Sequence, residues 1–195
     1  PPTTAGATVE LERAIDGGDW TPFAIGPSGN AAADSIRTGA VHAYRVRVAG
    51  PGAPGPWATV DDVAADRIEA TSRTVVLDGP WERVAFGAYS GGSALSTDGN
   101  GATLTWQGTA QAIAIVGPTG PTRGRMIVTV DGTRADVVDL RSAHFVARQV
   151  LFTASLPAPA LHEITIEAEP VGGRRTVAVD DIVTLGWTVN ALGGS

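Results

Sequence analysis

The sequence contains neither cysteine nor lysine, so arginine supplies all 14 of its positively charged residues. Without cysteine, disulfide bonds, thiolate catalysis and cysteine-ligated metal sites are excluded, while the redox compartment stays open. The arginines are spread along the chain, and the formal net charge is −6. Because nucleic-acid binding requires clustered positive charge, we expect no nucleic-acid partner.

Long apolar runs are also missing. No stretch approaches the roughly 20 apolar residues of a membrane helix, so no membrane span is expected. The sequence begins with Pro1 and Pro2, and not with an initiator methionine or the basic and then apolar start of a signal peptide. We therefore expect a piece of a longer or processed chain. Its hydrophobic fraction of 43% and charged fraction of 17% indicate that it buries a core.

Most of the chain alternates between polar and apolar residues with a period of two, which is typical of β-strands. Turn signals separate the alternating stretches, among them "DGGD" at 16–19, "SGGS" at 90–93 and "DGNG" at 98–101. Short strands at such intervals favour a β-sandwich or a jelly roll. One exception is "TVDDVAADRIEA" at 59–70, whose alanine and acidic content predicts a short helix. The sequence thus predicts an all-β protein.

Two domains are expected, because 195 residues suffice for one sizeable domain or two small ones. The strand alternation gives way to acidic residues and alanine between Val60 and Glu69. We place the joint there, which gives a first domain at 1–63 and a second at 64–195 that ends in a short tail.

The first domain contains the hairpin "LERAIDGGDW" at 11–20 and the pattern Ile-x-x-Gly-x-x-His-x-Tyr-Arg-Val-Arg at 36–47, closed by Trp57. These features resemble the second half of a fibronectin type III module. The resemblance implies core positions for Trp20 and Trp57, and it places His42 where the family has its corner tyrosine. A complete module has about 100 residues and seven strands. Because an incomplete sandwich exposes sheet edges, we expect this part to lean on the second domain or on a neighbouring chain.

The second domain carries motifs in a recognisable order, namely Trp81 with "YSGG", the turn "GPTGPTRG" with "VTVDG", then "DL", "LHEITIEA" and "VDDIVTL". Together they resemble the galactose-binding-like jelly rolls, similar to carbohydrate-binding modules, that follow fibronectin type III units in large secreted bacterial proteins. The resemblance implies a jelly-roll β-sandwich in a secreted or cell-surface protein. The chain departs from that family at Arg141, where an aromatic residue commonly follows "DL".

The turn at 117–124 looks at first like a phosphate-binding loop. It lacks the lysine of such loops, and it precedes a strand where they precede a helix. We expect its glycines and prolines to form a bulged corner between two strands. Arg123 and Arg125 stay candidates for contact with a carboxylated or sulfated partner.

Aromatic rings are the usual hardware of sugar binding, because a flat apolar ring stacks on the less polar face of a pyranose. Trp106 alternates with Ala102 and Leu104 and is expected in the core. Trp81 and Tyr89 lie next to turns and fit either the core or a platform. The stretch "RSAHF" at 141–145 combines a cation, an imidazole and an aromatic ring. The candidate ligand-binding residues are Tyr89, Arg123, Arg125, Arg141, His144 and Phe145.

Catalytic patterns are absent from the sequence. None of the three histidines belongs to an H-E-x-x-H pair, and "YSGGS" does not have the order of a G-x-S-x-G elbow. Asp180 and Asp181 resemble a carboxylate pair, but strand neighbours point to opposite faces, so we expect no shared acid and base task. One of them is expected to bond the backbone or an arginine.

No catalytic residue and no cofactor is therefore predicted. Calcium bound by Asp98, Asn100 or Asp180 with main-chain carbonyls stays an alternative, because hard oxygen ligands suit it.

The predicted function is that of a non-catalytic accessory or adhesion module of an extracellular protein, which binds a glycan or a cell-surface protein. The alternative is a structural module that assembles through protein contacts, with an exposed sheet edge of the N-terminal module completed by a neighbour. A third possibility is a hydrolase whose site contains Asp180, His144 or a nearby serine.

Overall fold

The computed structural model describes residues 8–27, 29, 32, 34 and 36–190. Within these ranges the chain forms antiparallel strands and one short 3-10 turn, which confirms the predicted all-β class. No helix in the described ranges is long and apolar enough to cross a membrane. The chain divides into two compact units, Pro1–Asp66 with Leu185–Ser195 (unit 1) and Arg67–Thr184 (unit 2).

Unit 1 is built on a long antiparallel pair of strands. Strand β1 (Thr8–Ile15) pairs along its whole length with β3 (Val41–Ala49), and the short β2 (Thr21–Pro22) pairs with one end of β1. Strand β4 (Ala58–Glu69) pairs with the other side of β3. The fibronectin-like assignment of this region stays a prediction.

The helix predicted at 59–70 is wrong, because these residues form β4. The cause is a β-bulge: Tyr44 pairs with Val60 and His42 pairs with Val63, so two residues of β3 face three of β4. Asp62 lies in the bulge with φ 56°. The extra residue puts two apolar side chains three positions apart on one face, a spacing that imitates a helix.

Beside His42, two side chains bond one carboxylate. The Tyr44 hydroxyl donates to the Asp34 carboxylate at 2.7 Å, and Arg13 donates to the other oxygen of that carboxylate at 2.7 Å. Burial, together with the bond to Asp34, raises the pKa of Tyr44. His42 is buried beside them, with Nδ1 3.7 Å from Asp34. Position 42 offers no hydroxyl, and the Tyr44 hydroxyl makes the bond to Asp34, ten positions earlier in the chain (44 − 34).

Trp20 and Trp57 do not occupy the expected core positions. Both are half-buried and stack on arginines, with the Arg45 guanidinium 4.5 Å from the Trp20 ring and 4.4 Å from the Trp57 ring. Arg47 lies 4.2 Å from the Trp57 ring. We call these four residues the Trp–Arg stack. Period-two alternation puts the two arginines on the face opposite Val46 and Val48.

Unit 2 contains two antiparallel sheets in a sandwich-like arrangement. The larger has the strand order β10 (Thr133–Asp139), β9 (Arg125–Val130), β11 (Val146–Glu169), β8 (Thr103–Thr119) and β13 (Asp181–Asn190), of which residues 181–184 belong to this unit, and β5 (Val75–Asp78) also pairs with β8. The smaller has the order β12 (Val177–Val179), β7 (Ser93–Thr97) and β6 (Glu82–Ala85). The arrangement is consistent with a jelly roll.

The core of unit 2 lies between these sheets. Trp106 is buried there with Leu104, as the alternation predicts. Other fully buried members come from both sheets: Ile113, Ile115, Met126, Ile164, Ile166, Val177, Val179 and Ile182. The segment "GPTGPTRG" joins β8 to β9, and it therefore connects two strands as expected.

Candidate functional site

The loop at 86–92 joins β6 to β7 and is closed by its own backbone. The Phe86 N–H donates to the Gly92 carbonyl at 2.9 Å, and the Tyr89 N–H donates to the Phe86 carbonyl at 2.9 Å. Gly91 and Gly92 have φ angles of 62° and 79°, which glycine adopts without a Cβ penalty. The compact loop presents Phe86 and Tyr89 side by side.

Asp180 holds this loop from below. Its carboxylate accepts the Ser90 N–H at 3.1 and 3.0 Å, one distance for each oxygen. The main chain of Asp180 bonds Val116 and Ala70 at 2.8 and 2.9 Å, so the anchor is itself fixed to neighbouring strands. The sequence predicted that one carboxylate of the Asp180–Asp181 pair bonds the backbone or an arginine, and Asp180 confirms this with its bond to the backbone.

Four side chains meet at the loop and form what we call the aromatic patch: Phe86, Tyr89, Arg123 and Phe145. The Phe86 ring centroid lies 5.5 Å from that of Tyr89 and 5.7 Å from that of Phe145, both edge-to-face. Arg123 lies over the Phe145 ring at 5.6 Å, and its Nη2 is 3.5 Å from the Tyr89 hydroxyl. Exposure is 48% for Phe86 and 44% for Phe145, whereas Tyr89 is 6% exposed. Tyr89 is thus the floor of the patch.

The remaining candidates from the sequence lie apart from these rings or beside them. Gly120 forms a bridge with Arg141, whose side chain is exposed. His144 is exposed, and its carbonyl accepts the Ser142 hydroxyl. Arg125 has Nε 2.9 Å from a carboxylate oxygen of Glu169. The structure thus brings together Tyr89, Arg123 and Phe145, and it directs Arg125 to an acidic partner.

Phe86 was not among the sequence candidates, although it belongs to the patch. It lies at the end of an edge strand next to a glycine, a position compatible with an exposed ring. The signal that identifies it is its contact with Phe145, 59 positions away (145 − 86), which only the fold reveals.

Near the patch, Asp139 is held by two donors. Arg174 donates to its carboxylate, and the Arg141 N–H donates to it at 2.9 Å. The Arg174 bond, followed by the Arg141 N–H, lowers the pKa of Asp139. The 139–141 segment, and with it the start of the loop that carries Phe145, is therefore fixed by charge-assisted bonds.

Asp180 and Asp181 are both buried where β13 begins, and the expectation that they share no acid and base task stays a prediction. Asp180 precedes β13 and is not part of a strand, so the alternation does not apply to it. The two residues are 1% and 2% exposed, and burial raises the pKa of each. Arg67, with Nε 3.9 Å from Asp181 Oδ1, partly opposes the shift at Asp181. Asp181 Oδ1 accepts no hydrogen bond.

The three calcium candidates have different surroundings. Asp98 is exposed and lies 3.9 Å from Arg175, and Asn100 lies in a turn. Asp180 is occupied by the Ser90 N–H. Over the part of the chain that the structure describes, no group of three or more histidine and acidic side chains is arranged to hold a metal ion.

One histidine is paired with a carboxylate. His162 Nδ1 lies 2.7 Å from Asp131 Oδ2. The Glu163 N–H and, after it, His162 lower the pKa of Asp131. His162 is 5% exposed and lies in β11 opposite Gly108 of β8. The pair fits a structural role that ties a hairpin turn to the sheet.

No protein-family model matches the sequence, and no curated protein matches it. The chain is similar to the catalytic domain of a GH87 alpha-1,3-glucanase in complex with tetrasaccharides, at TM-score 0.45 and 18% identity, covering 62% of this chain and 27% of that one. It is similar to an exo-beta-1,3-galactanase from Phanerochaete chrysosporium with beta-1,3-galactotriose, at TM-score 0.47 and 15% identity, covering 77% and 42%.

A third similar structure is a family 35 carbohydrate binding module from Clostridium thermocellum, at TM-score 0.44 and 16% identity, covering 61% of this chain and 98% of that one. The chain spans less than half the length of each of the two enzyme chains. At these levels of identity and TM-score, the similarities assign neither a family nor an activity.

Proposed function

We propose that the protein is a non-catalytic module of an extracellular protein and that it binds a glycan through the aromatic patch. One observation carries the proposal: Phe86 and Phe145 touch each other, and both keep nearly half of their surface exposed. Exposed large rings that lie together mark binding surfaces more often than isolated ones do. Rings of this kind stack on the C–H face of a sugar.

The arrangement of the rings suits a pyranose. The planes of Phe86 and Phe145 are inclined by 74°, so a sugar stacked on one ring meets the edge of the other. The Arg123 guanidinium lies over the Phe145 ring and contacts the Tyr89 hydroxyl only at 3.5 Å, so it offers N–H donors to a hydroxyl, carboxylate or sulfate group. The loop bonds and Asp180 hold the rings in place before binding, which reduces the entropy cost of ordering them.

A glycan array followed by calorimetry on the best ligand tests the proposal. We expect Phe145→Ala to weaken binding by ~10-fold or more, as for an aromatic anchor in an interface. Since the ring is exposed, the thermal midpoint stays close to that of the wild type. Phe23→Ala, which removes a phenylalanine of unit 1, is the matched control and leaves affinity unchanged. Absence of binding by the wild type, or full binding by Phe145→Ala, contradicts the proposal.

The alternative of an assembly module has its own support in unit 1. Val9 pairs with Val48, and Val46 shares the face of Val48, yet all three are exposed. Light scattering over a concentration series tests whether copies of the chain associate through this face. Ordered association that Val48→Glu abolishes, combined with no glycan binding, favours the assembly function.

The extracellular location is part of the same proposal. Fractionation of cells that express the full-length parent protein tests it, and recovery only from the cytoplasm contradicts it.

A further inference from the structure

A second surface of unit 2 combines positive charge with hydroxyl groups. A groove of ≈ 600 Å³ lies between the end of β4 and strand β6. Two guanidinium groups, one carboxylate and three hydroxyls line it, from Arg67, Arg83, Glu69, Thr71, Ser72 and Thr74. The turn that follows β4 fixes the hydroxyls, because the Ser72 N–H donates to the Glu69 carbonyl at 2.8 Å.

The two arginines differ in how their charge is balanced. Arg67 Nη2 is 3.1 Å from a Glu69 oxygen, and its Nε is 3.9 Å from Asp181, so acidic side chains neutralise it. Arg83 donates through Nε to the buried Ser93 hydroxyl at 3.0 Å. Its two terminal amino groups have no hydrogen-bond partner among the described residues. Arg83 is thus oriented by one bond and keeps an uncompensated charge at the groove.

We propose that this groove binds an oxyanion, a sulfate or carboxylate group, with Arg83 as its main contact. The guanidinium fork matches two oxygens of such a group, and the bonds are charge-assisted. Ser72 and Thr74, whose hydroxyl oxygens lie 3.0 Å apart, line the groove with Arg83 and supply short polar contacts. The groove is far larger than a single ion, so it also accommodates an oxyanion carried by a sugar.

The groove and the aromatic patch are distinct sites that share one loop. Glu69, in the groove, lies so close to Gly91 that a Cβ atom there would be 2.3 Å from its Oε1. Phe86 and Tyr89 of the same loop belong to the patch. The inference does not depend on the glycan proposal, because a free ion tests it.

The experiment is an NMR titration of the wild type with sodium sulfate, at an ionic strength kept constant with sodium chloride. We expect saturable shifts confined to the amides of 71–74 and their neighbours around Arg83. Arg83→Met removes the charge at similar length and should weaken sulfate binding by ~10-fold or more. Arg83→Lys keeps the charge but loses the fork, and its affinity should lie between the two. Arg134→Met, which removes an exposed arginine of β10, is the matched control and should bind like the wild type.

A sulfated monosaccharide and its unsulfated parent form the second arm. Tighter binding of the sulfated sugar than of free sulfate identifies the oxyanion as a substituent, and equal binding identifies the ion itself as sufficient. The proposal is overturned if no saturable shift appears in the groove, if the unsulfated sugar shifts the groove amides as strongly as the sulfated one, or if Arg134→Met weakens binding as much as Arg83→Met.

Discussion

The Trp–Arg stack of unit 1 and the aromatic patch of unit 2 use the same two kinds of side chain. In the stack, each arginine meets a ring and a carboxylate: Arg45 bonds Glu12 at 2.7 Å, and Arg47 bonds Glu10 at 2.6 Å. In the patch, Arg123 lies over the Phe145 ring but has no carboxylate partner among the described residues, only a hydroxyl at 3.5 Å, and two of three rings are exposed. Composition alone does not distinguish the two.

The two regions differ in how many of their hydrogen-bond donors and ring faces are already occupied within the protein. In the stack, the guanidinium groups bond carboxylates and cover the tryptophan rings. The patch keeps ring surface open to solvent, and its loop is fixed by bonds that do not involve the rings. A region of the first kind stabilises the fold, whereas a region of the second kind is available to a ligand.

The largest effect is expected from removing Asp180, which holds the loop of the aromatic patch and does not contact its rings through any bond described above. Asp180→Ala leaves the half-buried Ser90 N–H without an acceptor, which should lower the free energy of unfolding by about 1–3 kcal/mol. Hydrogen exchange at Ser90 should accelerate, and any glycan affinity should fall. Chemical denaturation and exchange NMR measure these effects.

Asp180→Asn is the control for this experiment, because its amide oxygen can still accept the Ser90 N–H. It should retain protection at Ser90 better than Asp180→Ala does. If exchange at Ser90 is the same in wild type and Asp180→Ala, the loop does not depend on this anchor.

A smaller effect is expected from the stack. Trp57→Ala removes two cation–π contacts, each worth about 0.5–1 kcal/mol at a partly exposed site. We expect a loss of about 1–2 kcal/mol in stability and no change in ligand affinity at the patch. Thermal unfolding and calorimetry measure the two quantities. An unchanged midpoint for Trp57→Ala, or a larger loss of stability in Phe145→Ala, refutes the assignment of the stack to stability.

The smallest effect is expected at Asp181, a buried carboxylate next to the anchor Asp180. Because burial raises the pKa of Asp181 above its ordinary value, 3.8, the native state binds this proton more tightly than the unfolded chain does. The wild type therefore gains stability from this group as pH falls through the raised pKa, and it loses that contribution as pH rises again. Asp181→Asn has no buried charge at this position.

At pH 7 we expect Asp181→Asn to be more stable by about 1 kcal/mol, or about 2–4 °C. Near pH 4 the advantage should disappear. Asp139→Asn is the control, since Arg174 stabilises the charged form of Asp139 and no gain is expected there. Thermal scans at several pH values measure the difference. A lower midpoint for Asp181→Asn at pH 7 means that the contact with Arg67 outweighs the cost of burial.

Alternation predicts local features of this chain well. The buried face of β8, with Leu104 and Trp106, follows from the period of two. The same rule fails at β4, because the bulge at Asp62 shifts the phase by one residue and no local signal distinguishes that shift from a helical spacing. It does not apply to Asp180, which lies just outside a strand.

The site depends on contacts between distant segments, which the sequence pattern does not contain. The cation and ring of the patch come from Arg123 and Phe145, both of which the sequence proposed. Phe86 belongs to the patch because the edge strand β6 ends beside the 141–145 loop. Arg125 does not belong to the patch, because its side chain pairs with Glu169 of β11. The sequence predicts that an arginine and an aromatic ring take part, but it does not predict which of Arg123 and Arg125 is the arginine.

The placement of the tryptophans also gives the chain a built-in optical readout. Trp106 sits in a dry interior, whereas Trp20 and Trp57 lie at the water boundary against cationic groups. Indole emission shifts with the polarity around the ring, so these tryptophans emit at different wavelengths. Because Trp81 of unit 2 and Trp187 of unit 1 are also partly buried, replacing these two by phenylalanine would leave a spectrum whose blue and red edges follow unit 2 and unit 1 separately.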